Sequence, residues 1–333
     1  MTKLPAVPLL LLLLAAPATA GPQRPVPTPA AAPATDAALP LVVSPAWLAA
    51  HLGDRNLVVL HVGDPDAYPK QHIPGARLVR LDDISISMQG KDQLHLELPP
   101  PDDLRHRLEA IGISSGSRIV VYFADDWVSP ATRVVFTLDA AGLGARTALL
   151  DGGLPAWLRE HRAVTDAIPP ARTGALGPLA IRPIVADATT VLASLGKPGF
   201  AVVDARDATF YAGTATGRSH DQPHRTGHIT GALSVPFDTV FDDQNRLRSD
   251  DDLRARFARA GVEPGDTVIG YCHIGQQATA MLFAARRLGH AVMLYDGSFE
   301  DWSLHHPGYP VEASAGAAAA KGEHREQPEQ AKP

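Results

Sequence analysis

The chain has 333 residues, of which 45% are hydrophobic and 20% charged. This composition can bury substantial cores, and the length suits two domains better than one. The formal net charge is -6, and no block of lysine or arginine is present. The charge pattern therefore excludes binding along a nucleic-acid backbone.

The first residues have the pattern of an export signal. Lys3 precedes an apolar run from Leu9 to Ala16, and Ala18-Thr19-Ala20 forms a small-x-small cleavage site. The run is well short of the ~20 residues that a spanning helix needs. We therefore predict a signal peptide over residues 1–20, cleaved near Ala20, and an exported protein, periplasmic or secreted, that leaves the membrane after cleavage.

Two further segments lack the large apolar residues that a core needs. Residues 21–39 are rich in Pro, Ala and Thr, and residues 313–333 combine an alanine run with Lys, Glu, Gln and Pro. Such compositions are typical of disordered chain. We predict a disordered spacer over 21–39 and a disordered tail over 313–333.

Between these segments the chain repeats itself. The matched pairs are His72 to Ala76 with His228 to Ala232, Ile111 to Tyr122 with Ala260 to Tyr271, and Leu150 to Trp157 with Tyr295 to Trp302. The order is the same in both halves, and about 130 residues is a normal domain size. We predict a first domain over 40–166, a linker over 167–180 and a second domain over 181–312.

Each half alternates β-branched runs with amphipathic helices. Ile119 to Tyr122 and Val268 to Tyr271 have the composition of strands, and Asp251 to Ala260 has that of a helix. Such alternation favours an α/β fold in which a mostly parallel sheet is flanked by helices, with sites at the carboxyl ends of the strands.

Cys272 is the only cysteine in the chain, and it follows the predicted strand Val268 to Tyr271 at a turn into helix-forming residues. The free amides and dipole of the next helix would favour a thiolate. A small buried hydrophobic side chain is the alternative interpretation of a lone cysteine. Its placement between strand and helix favours a nucleophile.

These motifs together resemble the tandem-domain rhodanese sulfurtransferases, which include thiosulfate and 3-mercaptopyruvate sulfurtransferases. The resemblance spans Leu41 to Val311. It rests on Val203 to Asp207, Gly227 to Ala232, the Cys272 loop and Tyr295 to Trp302. It implies two tandem rhodanese-like domains, of which the second is catalytic and the first is an inactive copy.

The first copy lacks the thiol. Aligned from the strand, Phe123 falls opposite Cys272, whereas aligned from the helix, Asp125 does. The loop of the first copy is two residues longer and contains Trp127 and Pro130. Proline removes a backbone donor, so we expect no equivalent chemistry there.

The short loop from Cys272 to Gln277 can coil around the sulfur and form an anion-binding nest of backbone amides. Gly275 would supply the positive φ that such a nest needs. We predict that Cys272 attacks the outer sulfur of thiosulfate, releases sulfite, and passes sulfur from its persulfide to cyanide or a thiol. A protein is a further candidate acceptor.

The substrate-binding candidates surround this cysteine. They are His273, Ile274, Gly275, Gln276, Gln277 and Arg225. His273 could assist thiolate formation or meet the anionic end of the donor, or it could be an exposed loop residue. Relatives place an arginine near position 210, where this chain has Phe210, and Arg218 or Arg225 could replace it.

The supporting residues are, by resemblance, Asp204, Arg206, His228 and Asp296. A structural ion pair between Asp204 and Arg206 is favoured over a catalytic role. His220, His224 and His228 have a spacing of four, but no Cys or carboxylate cluster completes a metal site. We predict neither a metal nor a cofactor.

Three alternatives bear on function. A cysteine phosphatase needs an arginine where this chain has Ala278, so that class is disfavoured. A 3-mercaptopyruvate donor stays open because Cys272-His273-Ile274-Gly275 matches neither the Cys-Arg-Lys-Gly nor the Cys-Gly-Ser-Gly loop of relatives. A sulfur-carrier or binding module without fast turnover also stays open.

Overall fold

The protein is described by a computed structural model over residues 38–87, 93–219 and 222–314. The predicted signal peptide, nearly all of the predicted spacer and tail, and His220 lie outside these ranges. No helix in them has both the length and the apolar character that crossing a membrane requires.

The first half forms one α/β unit. Its strands are β1 (Val42–Val43), β2 (Leu57–Val62), β3 (Arg77–Leu78), β4 (Arg118–Phe123) and β5 (Thr147–Leu150), and its helices are α1 (Pro45–His51), α2 (Pro101–Ala110), α3 (Ser129–Ala140) and α4 (Gly153–Arg159). The strands pair in parallel in the order β1-β5-β4-β2-β3.

The second half repeats this unit and adds to it. Its strands are β6 (Val185–Ala186), β7 (Phe200–Asp204), β8 (Arg218–Ser219), β9 (Gln222–Pro223), β10 (His228–Ile229), β11 (Leu233–Ser234), β12 (Thr267–Tyr271), β13 (Val292–Tyr295) and β14 (Val311–Glu312). Its helices are α5 (Ala188–Ser194), α6 (Ala208–Ala212), α7 (Asp250–Ala260), α8 (Gln277–Arg287) and α9 (Ser298–Leu304). The main sheet is parallel in the order β11-β7-β12-β13-β6, and β8-β9 and β10-β14 form small antiparallel pairs.

The two main sheets have the same strand order when read from corresponding ends, so the predicted α/β fold and the duplication are confirmed. Helix α7 shows how local sequence sets an element. Ser249 caps its first turn by accepting from the Asp252 amide at 3.3 Å, and Gly261 ends it with φ +96°. The observed start, Asp250, is one residue before the predicted one.

Tyr122 and Tyr271 occupy equivalent places at the ends of β4 and β12. The hydroxyl of Tyr122 accepts from the Ile73 amide at 3.2 Å, and that of Tyr271 accepts from the Ile229 amide at 3.1 Å. Each tyrosine thereby ties its strand to the repeated His-Ile-x-Gly-Ala turn.

The residues that follow these tyrosines, Phe123 and Cys272, are therefore structural counterparts. Of the two alignments that the sequence leaves open, the one from the strand is right, and Asp125 is not the counterpart. A Cβ at Gly153 would lie 2.6 Å from the Phe123 ring, whereas its repeat partner Ser298 bonds to the Cys272 backbone. The Phe123 ring of the first copy thus stands where the second copy has the Cys272 thiol.

The two halves share one core, because α3 and α8 pack against each other. Their threonine hydroxyls, Thr132 Oγ1 and Thr279 Oγ1, lie 2.9 Å apart, and a single cluster of buried apolar residues draws on both halves and includes Cys272. The linker is also held: Glu109 accepts from the amides of Gly174 and Leu176 at 2.7 and 2.8 Å. The first half can therefore position residues of the second.

Candidate active site

Cys272 lies between the end of β12 and the start of α8, and its side chain is 0% exposed. Its amide donates to Ser298 Oγ at 3.2 Å, and its carbonyl oxygen accepts from the Phe299 amide at 3.0 Å. The start of α9 thus holds the cysteine backbone at the carboxyl edge of the sheet, where sites of parallel α/β folds lie.

The loop after Cys272 leaves its amides available. Within the described residues, the backbone N–H groups of residues 273–277 have no hydrogen-bond acceptor. Gly275 has φ +77°, and a Cβ there would lie 2.6 Å from the Asp296 carbonyl oxygen. Successive backbone amides without a protein partner can bind an anion, so the loop has the chemistry of an anion nest.

Arg133, in α3 of the first half, supports this loop from behind. Its side chain is 0% exposed. Nη1 donates to the Gly275 carbonyl oxygen at 3.1 Å and to Asp296 Oδ1 at 2.6 Å, while Nη2 donates to the Leu96 carbonyl oxygen. Asp296 Oδ2 also accepts from the Leu98 amide at 2.7 Å. The copy without cysteine therefore orients the loop of the copy that has it.

The two glutamines of the loop differ in their contacts. Gln276 is almost fully buried, and its Nε2 donates to Ser129 Oγ of the first half at 3.0 Å. Gln277 is the first residue of α8 and is partly exposed, as is Ile274. Gln276 therefore fixes the loop against α3, whereas Gln277 and Ile274 face more open surroundings.

Asp204 and Arg206 form the buried ion pair that the sequence predicts. Arg206 Nε donates to Asp204 Oδ1 at 3.0 Å, and Nη2 donates to Oδ2 at 2.6 Å and to the Gly227 carbonyl oxygen at 2.7 Å. The guanidinium also lies 4.1 Å from the centre of the Phe299 ring. Because Nε and Nη2 are occupied in this way, Arg206 supports the floor of the site.

His273 packs edge-on against Phe210, with ring centres 4.6 Å apart, and lies 5.7 Å from the ring of His224. Burial, followed by the nearby charge of Arg206 and by His224, holds the pKa of His273 well below its usual value. The imidazole is therefore neutral near pH 7 and offers a hydrogen bond rather than a positive charge.

A carboxyl cluster lies behind the loop. Burial, and then the charge of Asp296, raises the pKa of Glu97, while Arg133 opposes the shift. Glu97 consequently holds a proton over a wider pH range than an exposed glutamate does. This limits the negative charge beside the loop.

Arg225, which was predicted to bind substrate, contacts the end of α9 and the residues that follow it. Its guanidinium donates to the carbonyl oxygens of Tyr309 at 2.7 Å and His306 at 3.5 Å, and its amide donates to Ser303 Oγ at 3.1 Å. These contacts tie Arg225 to the end of α9. Its backbone amide and Nη1 are the groups engaged there, and substrate binding by Arg225 stays a prediction.

His228 has partners of its own. Its Nδ1 lies 2.7 Å from the Tyr211 carbonyl oxygen, its Nε2 lies 3.4 Å from Glu312 Oε1, and its ring stacks on Tyr211. Over the described part of the chain, no three His, Cys, Asp or Glu side chains are grouped so that they could hold a metal ion. His220, the third member of the histidine series, lies outside the described residues.

Sequence reasoning missed Ser129, Arg133, His224 and Ser298. The first two lie in the copy without cysteine, where no local motif marks them. Ser298 falls within the repeated Tyr295 to Trp302 motif, and its replacement of Gly153 was a signal that could have found it. His224 was considered only as a metal ligand.

Comparison with known proteins agrees with this architecture. Residues 44–160 and 187–305 each match the rhodanese-like domain family. The chain is 30% identical over 280 residues to a thiosulfate sulfurtransferase of Azotobacter vinelandii, covering 83% of this chain and 98% of the relative. It is 32% identical over 267 residues to a probable 3-mercaptopyruvate sulfurtransferase of Pseudomonas aeruginosa, covering 77% and 92%.

Solved structures show the same fold at lower identity. The crystal structure of YnjE matches with a TM-score of 0.72 and 24% identity, over 82% of this chain and 68% of that one. An anaerobic ergothioneine biosynthesis enzyme from Chlorobium limicola matches with a TM-score of 0.72 and 21% identity, over 82% and 70%. The matched segments coincide with the two α/β units described above, and the chain belongs to the rhodanese family, with two rhodanese-like domains in tandem.

Proposed function

We propose that this protein is a thiosulfate sulfurtransferase that moves a sulfane sulfur to a thiophilic acceptor, cyanide or a thiol, through a persulfide on Cys272. The observation that carries the proposal is the loop itself. A lone cysteine is fixed at the base of a turn in which five successive amides, residues 273–277, have no acceptor among the described residues. These amides can stabilise an anionic terminal sulfur.

The proposed reaction has two displacements. The Cys272 thiolate attacks the outer sulfur of thiosulfate, a new S–S bond forms, and sulfite leaves with the electron pair of the broken S–S bond. The acceptor then attacks the terminal sulfur of the persulfide, and the Cys272 thiolate is the leaving group. Each step conserves charge, and ping-pong kinetics follow from the covalent intermediate.

The similarity to a protein named thiosulfate sulfurtransferase, at 30% identity over nearly its whole length, supports this donor. The absence of the thiol from the first half supports assigning the chemistry to the second half. Phe123 fills the place of Cys272 there, so we propose that the first domain is an inactive copy with a supporting role.

A 3-mercaptopyruvate donor is the second candidate. Within the described loop, Cys272 to Gln277 contains no lysine or arginine, and His273 is neutral near pH 7. A monoanionic keto acid needs less positive charge for binding than a dianion does. The relative named probable 3-mercaptopyruvate sulfurtransferase supports this alternative.

Intact-mass spectrometry of the purified protein tests both donors. After incubation with thiosulfate, the wild type should gain about 32 Da, the mass of one sulfur atom of the covalent intermediate, whereas Cys272→Ser should gain nothing. A gain of mass with 3-mercaptopyruvate but not with thiosulfate would identify 3-mercaptopyruvate as the donor. No gain with either donor would refute the sulfur-transfer proposal.

Steady-state release of sulfite with cyanide present separates an enzyme from a carrier. Continuous release that depends on Cys272 supports turnover. A single equivalent of sulfite, followed by no further release, would instead identify a sulfur-carrier module. Glutathione as the acceptor extends the same assay to thiols.

We also propose that the protein is exported, on the sequence pattern of residues 1–20. Expression of the full chain in a Gram-negative host, followed by fractionation and N-terminal sequencing, tests this. A periplasmic product that begins near Gly21 is expected. A full-length product confined to the cytoplasm would overturn the proposal.

A further inference from the structure

His224 is a buried histidine whose two ring nitrogens are unpaired within the described residues. Its residue is 3% exposed, and neither Nδ1 nor Nε2 has a hydrogen-bond partner in the described part of the chain. An unsatisfied buried polar group destabilises the folded state. A buried imidazole without partners is therefore best explained by a ligand that supplies them.

The fold holds His224 beside the active-site loop. Its amide donates to the Gly217 carbonyl oxygen at 2.8 Å, at the base of the β8–β9 hairpin. Its ring centre lies 5.7 Å from that of His273 and 6.2 Å from that of Phe299. His273 directly follows Cys272, and the Phe299 amide donates to the Cys272 carbonyl oxygen, so His224 lies beside two residues that adjoin the cysteine backbone.

Gly217 packs closely against the His273 ring and lies beside His224. A Cβ on Gly217 would lie 2.7 Å from His273 Nδ1 and 3.4 Å from His224 Nδ1. The φ of Gly217 is outside the left-handed region, so backbone conformation does not require glycine here. Glycine is explained instead by this close approach, because any side chain at position 217 would push against the His273 ring.

The charged and titratable groups that face His224 come from several elements. Burial lowers the pKa of His224 to about 4; the charge of Glu300 opposes this shift, and Arg206 and His95 add to it. His273, on the loop, is the further neighbour. His224 is thus neutral near pH 7, with one ring nitrogen as a donor and the other as an acceptor.

We propose that His224 and His273, whose rings lie side by side next to the Cys272 loop, together bind the oxyanion end of the sulfur donor. This inference rests on the proposed sulfur transfer. The loop amides of residues 273–277 hold the transferred sulfur, and the imidazole N–H groups donate to the sulfonate oxygens of thiosulfate. Neutral donors in a buried site take the place of cationic side chains.

His224→Phe tests the proposal, because it keeps a planar ring and removes both nitrogens. The KM for thiosulfate should rise about tenfold to a hundredfold, the loss expected for a hydrogen bond to a charged group. The KM for cyanide, which reacts only after sulfite has left, should stay within a factor of two. His106→Phe, on the exposed surface of α2, is the matched control and should change neither constant.

Gly217→Ala provides a second test that leaves both histidines in place. The added methyl group should raise the KM for thiosulfate by displacing the His273 ring, to which it would otherwise come within 2.7 Å. Gly116→Ala is its control, since a Cβ there would meet nothing within 4 Å. Thermal unfolding of all four variants verifies that the fold is kept.

Calorimetric binding of thiosulfate to Cys272→Ser, with and without His224→Phe, separates this inference from the proposed function. Loss of binding on adding His224→Phe supports the site even if the wild type gains no sulfur, in which case the transfer proposal alone fails. Equal binding, together with an unchanged KM for thiosulfate, would overturn the role of His224 while leaving sulfur transfer intact.

Discussion

Arg133 Nη1 donates to the carbonyl oxygen of Gly275 at 3.1 Å, across 142 positions of sequence. One residue belongs to the copy without a cysteine, and the other lies three positions after the cysteine. The bond turns the Gly275 carbonyl towards the first half, and the neighbouring amides stay available for an anion. The half without the cysteine is thereby part of the construction of the candidate site.

Arg133→Met should lower both the free energy of unfolding and the rate of sulfur transfer. Methionine keeps an unbranched chain but leaves Asp296 buried without its cation, and breaking a buried ion pair costs about 3–5 kcal/mol. Urea unfolding and the rate of sulfur loading on Cys272 measure the two effects. Arg254→Met is the control, because Arg254 has a side chain 60% exposed and its loss should cost under about 1 kcal/mol. Equal behaviour of the two variants would refute the positioning role.

Gly275→Ala should impair loading more than Gly265→Ala does. Both glycines have positive φ, +77° and +91°, but a Cβ at Gly275 would lie 2.6 Å from the Asp296 carbonyl oxygen, whereas one at Gly265 would meet nothing within 4 Å. Each change should cost about 1–2 kcal/mol for the left-handed backbone. Only Gly275→Ala should also slow the gain of sulfur mass on Cys272, because the new Cβ would force the loop from Cys272 to Gln277 away from Asp296. Normal loading by Gly275→Ala would contradict the nest.

Ser298→Ala should destabilise the loop from the side of α9. The Ser298 hydroxyl accepts from the Cys272 amide and donates to the Tyr295 carbonyl oxygen at 2.8 Å. Leaving the buried amide unpaired should cost about 1–3 kcal/mol and speed hydrogen exchange at the Cys272 amide. Ser194→Ala is the control, since Ser194 Oγ donates only to a helix carbonyl. Unchanged exchange at Cys272 would show that Ser298 does not hold the loop.

His61 should make stability depend on pH. Burial, and then the nearby His72, lowers the pKa of His61 to about 4. Between pH 6.5 and pH 4 the unfolded chain therefore binds a proton on His61 more readily than the folded chain does. The contribution of His61 to the free energy of unfolding is full above pH 6.5 and is lost as the pH falls through this window.

The size of that loss is about 3 kcal/mol by linkage. Unfolding of the wild type and of His61→Gln, which carries no charge at any pH, should be compared from pH 7 to pH 4. The stability of the wild type relative to the variant should decrease over that range. A constant difference would show that His61 is not buried in the neutral form.

Local pattern was enough to predict much of the fold. The β-branched runs Ile119 to Tyr122 and Val268 to Tyr271 became β4 and β12, which are longer than predicted by two residues and by one residue, because strand ends depend on pairing. The repeated motifs predicted two copies, and the placement of Cys272 after a strand predicted the edge of the sheet where it lies. Periodicity and turn chemistry act over a few residues, so they can be recognised in the sequence without knowledge of the tertiary structure.

The sequence alone determined the duplication, the α/β class and the single cysteine with its glycine-containing loop. Only the tertiary structure decided that Phe123 is the counterpart of Cys272, that Arg225 is held by α9, and that Arg133 and His224 adjoin the loop. These relationships join residues far apart in the chain and depend on packing between α3 and α8 and on the fold of the β8–β9 hairpin. Side chains that meet only after such packing leave no periodic or local signal in the sequence.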